Sequence, residues 1–456
     1  VRRTLLISTL FILLAGSALA ADPHPFSVHD MLAMDRVSGP QISPDGKTIV
    51  FTMRSTDLEA NRGRSNLWMM DVDGSNLRQL TTNPASDFNP RYAPCGHVLF
   101  LSTRSGSSQA WLIDPVGGEA QQLTDLPLDV SNLEIAPKIK SILFTMDVYP
   151  DMTMAETVAY DETLAEDPAS GMIYDELMFR HWDHWEDGKR SHVFRRGIFA
   201  YDADPIDLTP GLDTDTPTHP WGGSEEFALS ADGETLVFTA KILPGSEPAW
   251  STDYDLYTVP TDGSGNWTCL TEDNPAWDVA PLFSPDGKTL AWKAMARANF
   301  EADRFAIKLA GWPGGEIRTL YLEHDGLELS PRQLVWSKDG KSLFCNADYL
   351  GQNSIFEIRV KDGRVKQLVR DGNNGSIILG GRGLIYTKNH LRSPSEIHTV
   401  KTNGKNETRL THVNDEKIAA TLMGEPEQYT FKGWNDEIVY AYVVKPYDWT
   451  AEKAAA

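Results

Sequence analysis

A chain of 456 residues with 41% hydrophobic and 23% charged side chains has room for a large core and the composition of an ordinary globular protein. Its net charge of −22 argues against nucleic acid as a partner, because neutralising phosphates takes the opposite sign. Three cysteines, Cys95, Cys269 and Cys345, are too few for a disulfide scaffold, and without a Cys-x-x-Cys pair they argue against a structural zinc site.

Residues 1–20 read as a secretory signal peptide. Arg2 and Arg3 form a basic start, Leu5 to Leu14 is an apolar run, and Ala18-Leu19-Ala20 is a small-residue cleavage site. The run is shorter than the roughly 20 residues a membrane span needs. The expectation is export to the periplasm or medium, with no membrane attachment after cleavage. Removing the two arginines leaves a mature charge of about −24. Residues 21–40 form an N-terminal segment, in which Ser27 to Asp35 reads as a short helix with Ser27 and Asp30 at capping-box spacing.

From residue 41 to 412 one pattern recurs. Ser43-Pro44-Asp45-Gly46-Lys47 runs straight into the apolar strand Thr48 to Thr52. Related turns at Ser230-Ala231-Asp232-Gly233-Glu234, Ser284-Pro285-Asp286-Gly287-Lys288 and Ser337-Lys338-Asp339-Gly340-Lys341 do the same. Asp-Gly is tight-turn chemistry, since glycine takes positive φ freely and aspartate bonds its own backbone. Copies fall near 44, 94, 137, 231, 285, 338 and 381, at steps of 43 to 54 apart from one of 94, close to the roughly 40–50-residue span of a four-stranded propeller blade. Each copy closes with a strand, a turn and a short Leu-Thr strand or its equivalent, as in Leu67 to Asp71 followed by Gln79-Leu80-Thr81, or Ile198 to Asp202 followed by Asp207-Leu208-Thr209. The fold expected is all-β: a seven-bladed β-propeller of four-stranded blades. The three cysteines lie in or beside the strands and read as small buried side chains.

Residues 150–192 break the pattern and read as an insertion in blade three. Acidic and either helical or irregular at first, the insertion ends in an aromatic cluster with Tyr174, Phe179, His181, Trp182, His184 and Trp185. The two histidines lack a third ligand at metal spacing, so no metal or other cofactor is called for. Residues 413–456 read as a linker followed by two strand-like runs, Tyr429 to Trp434 and Glu437 to Pro446, around Asn435-Asp436.

Together, the stretch Arg36 to Lys47, the Ser-Pro-Asp-Gly repeats, Arg180-His181-Trp182-Asp183 and Trp221-Gly222-Gly223-Ser224-Glu225-Glu226 resemble the propeller of the prolyl oligopeptidase family. The nearest branch is the exported dipeptidyl aminopeptidases and acylaminoacyl peptidases. The Ser-Pro-Asp-Gly motif by itself is shared with periplasmic TolB-type propellers. In the family, a hairpin similar to 429–446 opens an α/β-hydrolase domain that supplies the serine nucleophile. Here no Gly-x-Ser-x-Gly elbow occurs, and Gly222-Gly223-Ser224-Glu225-Glu226 lacks the last glycine. A serine without a base and oxyanion donors is not nucleophilic. The resemblance therefore implies a serine peptidase cut at its domain boundary, inactive by itself, with the hydrolase domain expected in cis.

It also implies that carboxylates of the propeller hold the α-ammonium group of small peptides. Glu225 and Glu226 are the candidate pair, against the alternative that they are solvated turn acids. Arg180, His181, Trp182 and Trp185 are candidates to line the same chamber. Two functions remain open: a substrate-gating domain of an exported exopeptidase that removes dipeptides or acyl-amino acids, or a stand-alone periplasmic TolB-like propeller that binds proteins or ligands.

Overall fold

The computed structural model of the chain describes residues 22–136, 140–175, 177–200, 203–381 and 383–455. The signal-peptide reading, the turn near 137 and the pair Tyr201-Asp202 lie outside the described residues. The fold is all-β and propeller-like, with few helices. Five antiparallel four-stranded sheets follow one another along the chain. The first runs Arg36–Ile42, Thr48–Asp57, Arg62–Asp71, Arg78–Gln79, and the fifth runs Asp278–Phe283, Thr289–Ala294, Ala306–Gly311, Ile317–Leu320.

The last two units differ from the expected separate blades. Pro331–Trp336 to Val365–Val369 and Asn373–Leu379 to Thr408–Arg409 join in one eight-stranded sheet through a single parallel bridge, Asn353 to Asn373. Buried asparagines make the join. Asn346 Nδ2 donates to Asn353 Oδ1 at 2.8 Å, and Asn374 Nδ2 donates to the Asn353 carbonyl at 2.5 Å.

The repeated turn has one cause. Ser43 Oγ donates to Asp45 Oδ1 and accepts from Thr48 N, while Gly46 takes φ 72°. The same serine-to-aspartate bond recurs at Ser230, Ser284 and Ser337, at 2.5–2.8 Å. In the second sheet the turn reads Ala93-Pro94-Cys95-Gly96-His97, and Cys95 stands where the others place aspartate. It is exposed, with Sγ 3.4 Å from His97 Nδ1, contrary to the expected buried thiol. Cys345 is buried, as expected, and Cys269 is half-buried.

The Leu-Thr marker also has a structural cause. In five units the fourth strand is only two residues long. There the threonine hydroxyl accepts the third-strand N–H that a longer ladder would take. Thr81 accepts from Leu67 N, Thr124 from Ala110 N, Thr209 from Val193 N, Thr271 from Leu256 N and Thr411 from Ile397 N, at 2.8–3.3 Å. The two units without this threonine, ending in Leu320-Tyr321 and Leu368-Val369, have fourth strands of four and five residues instead.

Each sheet is apolar on both faces and shares a buried cluster with the next. Val50 and Leu67 meet Val98 and Phe100; Val237 and Leu256 meet Leu290 and Trp292. Another cluster joins Ile385, Ile397 and Leu410 of the eight-stranded sheet to Val37, Ile49 and Phe51 of the first. No ladder joins those two sheets among the described residues. The N-terminal segment is held separately. His24–Pro25 pairs in parallel with Thr421–Leu422, and the Asn414 side chain brackets Asp35 N and O at 2.8 and 2.9 Å. The helix Val28–Ala33 carries the capping box of Ser27 and Asp30.

Thr124 is fully buried, so Thr124→Val leaves the Ala110 N–H without a partner in an apolar setting. The expected loss is about 1–3 kcal/mol of unfolding free energy, with Thr124→Ser close to wild type. Denaturant melts of the three proteins check it, and a valine variant as stable as wild type contradicts the lock.

Candidate functional site

In an antiparallel meander, the connections between second and third strands and those between sheets fall on one face. The turns between first and second strands fall on the other. The insertion, 149–189 between Ser141–Val148 and Arg190–Gly197, is therefore on the loop face, opposite the Ser-Pro-Asp-Gly turns. So is the segment 208–226 leading to Phe227–Leu229. The terminal hairpin Pro426–Lys432 and Ile438–Val444 is on this face too, with Gln428 Nε2 donating to Leu350 O at 2.6 Å and Glu425 paired with Arg392.

A cavity of about 1250 Å³ is lined by the first strand of every four-stranded unit. In all of these strands but Phe227–Leu229 the register slips by a bulge, as between Phe88 and Arg91 or Val279 and Leu282. Left-handed residues Gly39, Asn89, Asn132, Ala280 and Ser376 sit in the bulges. A bulge re-aims neighbouring side chains. Arg91 and Glu134 both line the cavity and meet there. Arg91 Nε lies 2.9 Å from Glu134 Oε2, and Ser224 Oγ donates to Glu134 Oε1 at 2.7 Å. This links the second and third sheets to the turn entering the fourth.

That turn, Ser224–Glu226, carries the two predicted acids and separates them. Glu225 is exposed and lines the cavity. Glu226 is 5% exposed and turned inward, where Oε2 accepts from Thr218 N at 2.7 Å and Oε1 from Thr218 Oγ1 at 3.0 Å. The structure does not present them as a pair, because the short 3-10 turn points successive side chains in different directions. Burial pushes the Glu226 carboxyl up to about 7. Asp215, on the same segment, accepts from Ser191 N at 2.8 Å and is pushed by burial to about 6.

Arg180, His181, Trp182 and Trp185 lie on the two-residue hairpin Arg180–His181 and His184–Trp185, outside the cavity lining. Trp182 is at its left-handed turn, 71% exposed. Trp185 packs with Tyr174 and Phe179, under the Arg180 guanidinium. His184 meets Trp221 at 6.5 Å, which ties the insertion to the 208–226 segment. The helical part, Met154–Glu166, has a capping box of Thr153 and Glu156. Among the described residues no cluster of metal-ligating side chains occurs. Arg91, Glu134 and Asp215 escaped the sequence reading, and Ser224 entered it only within the Trp221 to Glu226 motif. For Glu134 the one signal is a lone charge in a first strand, between Leu133 and Ile135.

A family profile described as TolB beta propeller domain matches residues 32–163. Dipeptidyl-peptidase 5 of Porphyromonas gingivalis is 28% identical over 380 residues, covering 81% of this chain and 53% of that protein. Dipeptidyl-peptidase 5 of Porphyromonas endodontalis is 26% identical over 429 residues, covering 93% and 60%. The chain thus spans little more than half the length of these relatives. Among solved structures, Pyrococcus horikoshii acylaminoacyl peptidase superposes with a TM-score of 0.69 at 14% identity, covering 92% of this chain and 59% of that one. The propeller domain of the trilobed protease from Pyrococcus furiosus superposes at 0.53 and 12% identity, covering 84% and 97%. The fold is that of a β-propeller. The chain is similar in sequence to dipeptidyl-peptidase 5, in keeping with the resemblance to the prolyl oligopeptidase family read from its motifs.

Glu226 binds a proton more tightly in the fold than its ordinary value of 4.5 allows. Its contribution to stability is therefore greatest below about pH 4.5 and falls as pH rises toward about 7. Glu226→Gln removes the ionisation and keeps an acceptor for Thr218 N. Melts at pH 5 and pH 8 check this, with an expected pH-dependent loss in wild type larger by on the order of 2–3 kcal/mol than in the variant.

Proposed function

We propose that this chain is the substrate-gating propeller of an exported serine exopeptidase of the dipeptidyl-peptidase kind, which admits small peptides and holds their free amino terminus at Glu225. Seven four-stranded units form its ring. The six inter-sheet clusters along the chain and the cluster joining the last unit to the first support that count. The observation that carries the reading is the single cavity shared by all first strands, with an exposed carboxylate at its loop-face rim. Glu226 is a positioning residue that fixes the segment before Glu225 through Thr218. The chain by itself has no nucleophile elbow and is inactive in amide hydrolysis.

The partner is an α/β-hydrolase domain docked on the loop face. The terminal hairpin supports it: Phe431, Ile438, Tyr440, Val444 and their neighbours are exposed on both sides of a two-stranded sheet. Such an uncovered apolar ribbon is an aggregation liability in a stand-alone propeller. Export follows from residues 1–20.

The test is peptide binding to this chain by calorimetry or NMR. Glu225→Gln is expected to weaken Gly-Ala binding about tenfold, as loss of a charge-assisted bond does, and to leave N-acetyl-Gly-Ala unchanged. Equal loss for both peptides, or none for either, removes the amino-terminus role. Cleavage of a dipeptidyl amide substrate by the purified chain removes the gating-only role.

A further inference from the structure

Lys293 also lines the cavity, from the second strand of the fifth sheet. Its ammonium donates to the Arg332 carbonyl at 2.6 Å and lies 5.0 Å from the centre of the Phe305 ring. No carboxylate forms an ion pair with it among the described residues, whereas Arg91 pairs with Glu134 and Arg332 with Asp348. An ammonium group has three donors, and one carbonyl uses only one of them. Lys293 is half-buried, and a partly desolvated cation without an ion-pair partner favours a ligand that brings the counter-charge. Burial pulls the Lys293 pKa down, and the fields of Glu225 and Glu226 oppose that pull.

The ring beside Lys293 is itself packed against others. Phe305 packs edge-on against Trp277 at 5.9 Å, and Trp277 stacks on Tyr254 at 4.9 Å. Lys241 closes the far end, 4.3 Å from the Tyr254 ring and bonded to the Pro248 and Ser251 carbonyls. The row of three rings holds one lysine at each end, and only the Lys293 end opens on the cavity. Glu225 lines that cavity from the turn entering the neighbouring sheet.

We propose that Lys293 Nζ is an anion seat that takes a carboxylate of a short peptide whose amino terminus Glu225 holds, so that the cavity selects small zwitterionic peptides. This rests on the peptide-binding reading above and adds the second pole of the ligand. The carboxylate can come from the peptide's own terminus or from an acidic side chain.

Three probes separate the sources on the 456-residue chain: Gly-Ala, Gly-Ala amide and Gly-Glu amide. Gly-Ala is expected to bind about tenfold tighter than its amide, the scale of one charge-assisted contact. Lys293→Met is expected to abolish that gap, and Lys293→Arg to keep most of it. Recovery of the gap by Gly-Glu amide assigns the seat to either carboxylate, and no recovery assigns it to the α-carboxylate alone. Equal affinity of Gly-Ala and its amide in wild type overturns the proposal, as does a gap that persists in Lys293→Met. If the methionine variant does not fold, the wild-type comparison and the arginine variant decide. Failure of Glu225→Gln to distinguish Gly-Ala from its acetylated form is read separately, since it tests the ammonium pole and not the carboxylate pole.

Discussion

A four-stranded sheet with two apolar faces cannot hide both by itself, and the architecture follows from that constraint. Phe51, Phe100, Phe144, Phe238, Trp292, Phe344 and Tyr386, one on the second strand of each unit, are all nearly or fully buried between sheets. Each such side chain contributes roughly 1.5–3 kcal/mol when buried, so the sheets stack against one another. The first and the last are joined by packing of Val37 and Ile49 on Ile385 and Ile397. Asn414 and Lys417 then fasten the N-terminal segment to the end of the last unit through Asp35, whose carboxylate lies 2.7 Å from Lys417 Nζ.

Stacking also divides the molecule into two unlike faces. One carries short serine-aspartate turns, in which each aspartate is spent on its own backbone and its serine. Those hydrogen bonds hold the Asp45, Asp286 and Asp339 carboxyls below the usual range. The other carries the insertion, the 208–226 segment and the terminal hairpin. There the carboxyls of Asp215 and Glu226 are raised because burial outweighs their hydrogen bonds. The strongly acidic composition thus has two physical meanings, solvated turn chemistry on one face and buried loop anchoring on the other. Between the faces, Arg91 and Glu134 from bulged first strands, Glu225 from a 3-10 turn and Lys293 from a second strand put charged groups on the cavity wall.

The sequence determined the repeat by itself. Ser-Pro-Asp-Gly and Leu-Thr are local devices, a turn closed by its own side chains and a hydroxyl that replaces a ladder bond a few residues away. Each can be read from neighbours in the chain. The capping boxes of Ser27 and Thr153 are local in the same way. What only the tertiary structure decided is which side chains share a space. Glu225 and Glu226 are adjacent in sequence, yet a single 3-10 turn sends one to the cavity and the other to Thr218. Trp182 and Trp185 go to an outlying hairpin instead of the cavity. Arg91 and Glu134 are 43 residues apart and meet because two bulges face the same axis. Turns depend on bonds to the next few residues, whereas the cavity depends on the stacking of whole sheets, whose contacts no local pattern contains.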